Sequence, residues 1–208
     1  MCNIIFIDLC GTLVNENTTF HFFEKKILPK KNLCIKLIWK LKIVQIITKS
    51  SFLLGIKWDL SKKACLFFMK GLNRNDLAVL SDEFVNELSW RKDILTKIDL
   101  LKRHGYFPVI ISASLDFLVK SVSKKMHIDK YESSLLLYNN DRFSGVLYRD
   151  LQGNKKSVIM SYSFSKSIFF TDNLDDSDCI DSVNYFIAVT SRKNLNFWKR
   201  NRVFTHVV

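Results

Sequence analysis

The 208-residue sequence contains few of the residues and patterns that mark disordered or zinc-binding proteins. It has 6 glycines, 2 prolines and no internal repeat, which argues against a disordered or low-complexity chain. Its five cysteines are scattered and odd in number, and no Cys-x-x-Cys pair or His-rich cluster indicates zinc. We therefore expect a folded globular protein with reduced thiols and a cytoplasmic location.

Two further absences concern membranes. Residues 1–3 lead straight into an apolar run, so we expect no signal peptide, which would need a charged region and then an apolar one. The apolar segment from Leu33 to Leu60 is interrupted by five lysines, which leaves no uncharged run near the ~20 residues that span a bilayer. We therefore expect no transmembrane helix.

The first candidate functional feature is the apolar run that begins at Asn3 and ends at Asp8. Its β-branched and aromatic residues predict a buried strand, and Gly11 next to Thr12 predicts the turn that follows. A carboxylate at the carboxyl end of a parallel strand lies where open α/β sheets bind ligands. Asp8 is therefore the first candidate site residue, although an aspartate that only caps a turn would give the same pattern.

The rest of the chain divides into a helical stretch and an alternating one. From Phe20 to about Leu100, apolar residues recur at three- and four-residue spacing, which predicts helices. After Tyr106, strand patterns alternate with helix patterns, and Asn140 with Asp141 predicts the turn of a short hairpin. We predict a three-layer α/β/α, Rossmann-like, doubly wound parallel sheet with an inserted all-helical cap. The predicted core comprises residues 1–14 and 101–208, and the predicted cap comprises residues 15–100.

Polar residues also follow the later strands. Ser112 and Ala113 stand between a strand and a helix, where small residues and backbone amides can bind phosphate. Asp172 and Asp176 belong to an acidic cluster after another strand, and carboxylates packed together are costly unless a cation lies among them. Each has a simpler structural interpretation, because Ser112 can be a helix cap and the acidic cluster can be an exposed loop.

Taken in order, these motifs resemble those of the haloacid dehalogenase (HAD) superfamily, and within it the phosphoserine phosphatase-like branch with a helical cap. The resemblance rests on four pieces: Asp8-x-x-Gly11-Thr12-Leu13, Ser112-Ala113-Ser114, Gly153-x-x-Lys156 and Asp172-x-x-x-Asp176.

The resemblance implies a role for each motif. Asp8 would attack phosphorus and become an aspartyl phosphate. Ser112 and Ala113 would bind the phosphate, and Lys156, which fits the pattern better than Lys155, would offset its charge. Mg²⁺ would be held by Asp8, the backbone carbonyl of Cys10 and Asp172, with support from Asp176.

Cys10 departs from the family pattern, which has a second aspartate at this position as the general acid and base. A thiol has an ordinary pKa near 8.5, against about 3.9 for aspartate, and is a poor base for activating water. Two functions therefore stay open. One is a magnesium-dependent phosphatase, slowed by Cys10, that acts on a small phosphorylated metabolite or a lipid-linked phosphate. The other is a catalytically impaired pseudophosphatase that regulates by binding phosphate or a partner.

The charge distribution bears on partners. The chain has a formal charge of +12, and residues 15–100 hold 16 Lys or Arg against 9 Asp or Glu. A basic surface favours anionic partners, but with no cluster of Arg and aromatic residues we do not expect nucleic acid binding. The apolar and basic segment Leu33 to Leu60 fits two interpretations. Packing in the core of the cap is the one we prefer, and a peripheral helix on a membrane surface is the other.

Overall fold

The computed structural model describes residues 2–41 and 60–208. Seven strands form one sheet in the order β4-β3-β2-β1-β5-β6-β7. All neighbouring strands are parallel except β3 and β4, which form the predicted antiparallel hairpin. The strands are β1 Cys2–Ile7, β2 Tyr106–Leu115, β3 Lys130–Asn139, β4 Arg142–Arg149, β5 Phe164–Thr171, β6 Tyr185–Thr190 and β7 Phe204–Val207.

Eight α-helices occur in the described part of the chain, and several continue into a short π or 3₁₀ turn. The α-helices are α1 Thr18–Phe22, α2 Leu33–Lys40, α3 Leu60–Met69, α4 Arg74–Phe84, α5 Lys92–Arg103, α6 Asp116–Met126, α7 Lys155–Met160 and α8 Leu195–Arg200. A π turn spans Phe23–Ile27, and 3₁₀ segments span Leu28–Lys30, Val85–Glu87 and Leu174–Ser182. Among residues 2–41 and 60–208, we find no helix with both the length and the apolar character needed to cross a membrane.

Both faces of the sheet are buried. Along β1, Ile5 and Ile7 belong to one apolar cluster, while Ile4 and Phe6 belong to a second cluster on the opposite face. This alternation is what a strand covered on both sides requires, because successive side chains point in opposite directions. Helices α5 and α6 contribute to the first cluster, and α7 and α8 contribute to the second. The predicted three-layer α/β/α architecture is therefore confirmed.

The helical insertion packs on the first face of the sheet. Phe22, Phe84 and Leu66 of the insertion share a cluster with Ile5 and Ile7 of β1, so the helices and the sheet have one continuous apolar interior. Apart from isolated bridges, the described residues between 15 and 100 form no strand, as predicted.

The two ends of the insertion lie side by side. The backbone N–H of Asn15 donates to the carbonyl of Ser89 at 3.1 Å, and that of Arg91 donates to the carbonyl of Leu13 at 2.9 Å. Helix α5 follows this junction, runs through residue 100 and packs against β2. That residues 15–100 form one cap domain stays a prediction. Helix α5 lies mostly within this range, but it packs against β2 and so is grouped with the sheet.

Helix α2 differs from the interpretation that we preferred for its segment. Core packing holds for Trp39, which is buried and whose indole N–H donates to Glu24 Oε1 at 2.8 Å. It is wrong for four other apolar side chains of this helix and its C-cap, which are exposed: Leu33, Leu37, Ile38 and Leu41. Ile35 is half-buried. The rest of the segment, residues 42–59, lies outside the described residues.

Candidate active site

The candidate site is built at the carboxyl edge of the sheet, around the middle strand. Asp8 directly follows β1, which lies between β2 and β5. Its backbone N–H donates to the carbonyl of Phe170 at 2.9 Å, and this bond extends the β1–β5 pairing up to the carboxylate. The residue is 4% exposed, and its Oδ1 accepts the N–H of Leu9 at 2.7 Å. Asp8 is therefore held in one position by backbone contacts.

A buried lysine faces this carboxylate. The Nζ atom of Lys155 lies 2.8 Å from Asp8 Oδ2 and 2.7 Å from Asp176 Oδ2, and all three side chains are almost completely buried. Burial alone would lower the pKa of Lys155, but the charges of Asp8 and Asp176 outweigh it and raise the pKa above its ordinary value. The ammonium is therefore permanently charged at neutral pH.

The lysine that meets the carboxylates is one position earlier than predicted. Helix α7 begins at Lys155, and Ile159, one turn further, is fully buried in the second apolar cluster. Lys156 is half-buried, does not line the site cavity, and precedes by one turn the exposed Met160. The choice of Lys156 is therefore corrected to Lys155, because the buried face of α7 contains residues 155 and 159.

Asp176 contacts Lys155, and Thr171 in turn contacts Asp176. The hydroxyl of Thr171 donates to Asp176 Oδ2 at 2.5 Å and lies 3.4 Å from Asp8 Oδ2. Burial raises the pKa of Asp176 to about 6, although Lys155 acts in the opposite direction. The Oδ2 atom of Asp176 is thus occupied by Lys155 and Thr171. These contacts favour a supporting role for Asp176.

Asp172 lies against the turn that follows Asp8. A Cβ atom added to Gly11 would lie 2.0 Å from Asp172 Oδ2, and Gly11 has φ of +68°. The Thr12 hydroxyl donates a hydrogen bond to Asp172 Oδ1 at 3.4 Å. Burial first, and the nearby charge of Asp8 second, raise the pKa of Asp172 to about 7. Two carboxylates therefore crowd one edge of the site, where a cation would stabilise both.

The Cys10 thiol is bound to the first helix of the insertion. Its Sγ accepts the backbone N–H of Thr18 at 3.3 Å and lies 3.2 Å from Thr18 Oγ1. The Thr18 hydroxyl is in turn 2.5 Å from the hydroxyl of Ser114. Burial and the charge of Asp8 raise the pKa of Cys10 to about 11. The thiol therefore keeps its proton at neutral pH.

A cavity of about 320 Å³ opens over these groups. Ser112 and Ala113 line it from β2, and the Ser112 hydroxyl accepts the backbone N–H of Ser114 at 3.3 Å. Lys62 of α3 also lines the cavity, and its Nζ contacts the carbonyl of Ala113 at 3.3 Å and Asp150 Oδ1 at 2.7 Å. The insertion thus contributes a basic side chain directly above the predicted phosphate-binding turn.

Most of the predicted site residues meet in this one place. Asp8, Cys10, Ser112, Ala113 and Asp172 line the cavity, and Asp176 lies behind Lys155. Sequence reasoning missed Lys62, Thr18 and the hydroxyl of Thr171. Lys62 had no local signal, since its partner Asp150 is 88 positions away.

Solved structures share the fold at low sequence identity. A protein of unknown function from Bordetella pertussis Tohama I aligns with a TM-score of 0.81 at 12% identity, over 99% of this chain and 98% of that one. A HAD family hydrolase from Salmonella enterica serovar Typhi aligns with a TM-score of 0.71 at 15% identity. That alignment covers 98% of this chain, which spans 66% of the Salmonella chain.

A phosphoserine phosphatase, solved as a phospho-aspartyl intermediate analogue, aligns with a TM-score of 0.66 at 15% identity, over 99% of this chain and 92% of that one. Identities this low show a common fold. No curated protein sequence matches the chain. A family model for haloacid dehalogenase-like hydrolases, however, matches residues 5–180, and the chain therefore belongs to the haloacid dehalogenase-like hydrolase family.

Proposed function

We propose that this protein is a magnesium-dependent phosphatase that hydrolyses phosphomonoesters through an aspartyl phosphate on Asp8. The observation that supports it best is the Lys155 ammonium, buried between Asp8 and Asp176 at the floor of the cavity. A permanent cation beside a fixed carboxylate offsets the repulsion between that carboxylate and a phosphate dianion. Several solved HAD-fold neighbours are phosphatases, including the phosphoserine phosphatase and cytosolic 5'-nucleotidase IIIB bound to cytidine.

In the first half of the reaction, a carboxylate oxygen of Asp8 attacks phosphorus and the bond from phosphorus to the ester oxygen breaks. Lys155 stabilises the charge that gathers on the transferring phosphoryl group. The Ser112 hydroxyl and the backbone at Ala113 bind the non-bridging oxygens. In the second half, water attacks phosphorus and the bond from phosphorus to the Asp8 oxygen breaks, which releases inorganic phosphate. The alcohol formed in the first half takes its proton from solvent, and the proton that the attacking water loses passes to solvent, since Cys10 keeps its own.

The donor set fits a magnesium ion. In residues 2–41 and 60–208, no three His, Cys, Asp or Glu side chains form a cluster that would enclose a metal. Mg²⁺ does not need such a cluster, because it is commonly bound by one or two carboxylates and keeps several waters. Asp8, Asp172 and the backbone carbonyl of Cys10 would hold it, since Asp8 and Asp172 both line the cavity beside the turn at Gly11. When bound, the ion supplies charge stabilisation for the transferring phosphate.

Cys10 makes the second half of the reaction the slow one. A thiol that keeps its proton can donate a hydrogen bond to the leaving oxygen, but it cannot accept a proton from the attacking water. General acid–base catalysis is typically worth about 10²- to 10⁴-fold. We therefore expect the aspartyl phosphate to accumulate and turnover to be slow.

The same thiol supports the second candidate function, a pseudophosphatase that binds phosphate or a partner without turnover. The hydrogen bonds between Thr18 and Cys10 give the thiol a structural role, as a link between the turn after Asp8 and α1. For the phosphatase we propose a small phosphorylated metabolite or a lipid-linked phosphate as substrate, because the cavity of about 320 Å³ is small and has Lys62 at its wall. We propose a cytoplasmic location.

Phosphate release from a panel of phosphomonoesters, with and without Mg²⁺, tests the proposal. We expect slow, magnesium-dependent release by the wild type, none by Asp8→Asn, and faster release by Cys10→Asp. A covalent phosphoprotein should form in the wild type and be absent in Asp8→Asn. If wild type and Cys10→Asp both fail to form it or to release phosphate, the phosphatase proposal is refuted, and phosphate binding by the wild type would then favour the pseudophosphatase.

Magnesium binding can be measured without turnover. A ligand at 100 times its Kd stabilises the folded state by about 2.7 kcal/mol. We expect Mg²⁺ to raise the melting temperature of the wild type, and Asp172→Asn to remove most of that rise. Asp175→Asn, a change at an exposed neighbour, is the matched control and should leave the magnesium effect intact.

A further inference from the structure

Helix α2 exposes apolar side chains that a purely soluble protein would be expected to bury. Leu33, Leu37 and Leu41 follow one another at four-residue spacing, so they form one stripe along the helix surface. Their exposed fractions are 80%, 54% and 56%, and Ile38 beside them is 40% exposed. We call these four residues the α2 stripe. The opposite side of the helix is anchored to the protein by the buried Trp39.

Lysines flank the stripe along the sequence, while Glu24 contacts the helix through Trp39. Lys36 and Lys40 also follow at four-residue spacing and run beside the stripe. In the sequence, residues 25–58 contain nine lysines and no aspartate or glutamate. An exposed apolar stripe flanked along the sequence by lysines is complementary to a surface that combines an apolar interior with negative head groups.

From this complementarity we propose that the α2 stripe binds the surface of an acidic phospholipid membrane. The leucines enter the region between head groups and acyl chains, and the ammonium groups of Lys36 and Lys40 stay at head-group level while their stems cover apolar surface. A second copy of this chain would also cover the leucines, but it would place lysines against lysines.

Helix α2 lies next to the candidate active site. Phe20 lines the cavity, and its ring centroid is 6.5 Å from that of Trp39 on α2. The stripe faces away from Trp39, so a chain bound through it would have α2 between the cavity and the membrane surface. The inference does not depend on the proposed phosphatase activity, since it rests on α2 alone.

Cosedimentation of the full chain with lipid vesicles tests the proposal. The probes are vesicles of phosphatidylcholine alone and vesicles with about one third phosphatidylglycerol. We expect binding to the acidic vesicles that is at least about tenfold stronger than to the neutral ones, and weaker at high salt because the lysine charges are screened. Equal binding to both vesicle types, or none to either, would overturn it.

Matched substitutions separate the stripe from the rest of the surface. Leu37→Ser removes one apolar group without a change of charge and should lower the partition coefficient about tenfold or more. Val79→Ser is the control, because Val79 is 61% exposed on α4, away from the stripe. Leu33→Ser gives a second variant if Leu37→Ser unfolds. Equal binding by Leu37→Ser, Leu33→Ser and Val79→Ser would contradict the proposal.

The lysines have a control of the same kind. Replacing Lys36 and Lys40 together with glutamine should weaken binding to acidic vesicles, whereas the same change at Lys92 and Lys97, two exposed lysines of α5, should have a smaller effect. Sedimentation without vesicles tests whether a second copy of the chain, and not a membrane, covers the stripe. If the wild type is a dimer that Leu37→Ser dissociates, the stripe is an interface between copies of the chain and the membrane proposal fails.

Discussion

Replacing Lys155 with methionine is the most informative single change in this structure. Methionine has a similar length but no charge, so Asp8 and Asp176 would remain buried without the cation that each contacts within 2.8 Å. Removing one partner of a buried ion pair costs about 3–5 kcal/mol. We expect Lys155→Met to lower the free energy of unfolding by that amount, which is a large share of the ~5–15 kcal/mol that a typical domain has.

The neighbouring lysine is a natural control. Lys156 has no ion pair in the described part of the chain and is half-buried, so Lys156→Met should change stability by no more than about 0.5 kcal/mol. Urea unfolding followed by circular dichroism measures both variants, provided that the urea dependence of the unfolding free energy (the m-value) stays the same. Phosphate release should fall by about 10²- to 10³-fold in Lys155→Met and remain unchanged in Lys156→Met.

A second substitution tests the physical reason for the loss. If the loss comes from an uncompensated negative charge, then Asp176→Asn made in the Lys155→Met background should restore part of the stability, since asparagine is neutral and can still accept the Thr171 hydroxyl. Equal loss in Lys155→Met and Lys156→Met, or a loss below about 1 kcal/mol in Lys155→Met, would refute the reasoning.

Three other predictions concern the same region. Cys10→Asp should raise the rate at which the aspartyl phosphate is hydrolysed by about 10²-fold or more in single-turnover assays, and an unchanged rate would show that position 10 does not limit turnover. Gly11→Ala should weaken Mg²⁺ binding in a thermal-shift titration, because its Cβ would meet Asp172 Oδ2. Gly153 also has a positive φ, of +70°, but a Cβ added there would meet no other atom, so Gly153→Ala should leave Mg²⁺ binding unchanged. Equal effects of the two substitutions would contradict the steric argument. Burial raises the pKa of Asp116 above 3.8, so its contribution to stability is present below that pH and is lost as the pH rises through the raised pKa. Urea unfolding measures the free energy of unfolding of Asp116→Asn minus that of the wild type, at about pH 4 and about pH 7. This difference should be more positive at the higher pH, and a difference independent of pH would argue against the shift.

The sheet and the edge that holds the site were predictable because they follow from patterns within short segments. An apolar run that ends at Asp8, and another that ends before Asp172, place both carboxylates at the carboxyl ends of parallel strands. The identity of the lysine was not predictable in the same way. Three apolar residues in a row, Val158, Ile159 and Met160, allow either helix register, and only the packing of Ile159 selects Lys155.

Side-chain contacts across turns and loops were also hidden from sequence reasoning. The hydroxyl of Thr171 donates to Asp176, and no pattern in the sequence predicts this contact. The contact between Thr18 and Cys10 depends on how the first helix of the insertion returns to the turn. The exposure of Leu37 was missed for a related reason, since apolar spacing shows which residues share a face of a helix but not whether that face is covered.

The junction at Asn15 and Ser89 has a consequence for how this fold can vary. Backbone hydrogen bonds hold the two ends of the helical insertion together. The insertion is therefore attached to the sheet as a loop whose two ends meet. The entropy of closing a flexible loop grows only with the logarithm of its length, and each doubling costs about 0.6 kcal/mol. Segments of very different length could therefore leave and re-enter at this point with little effect on the stability of the sheet, while each would place different side chains above Asp8.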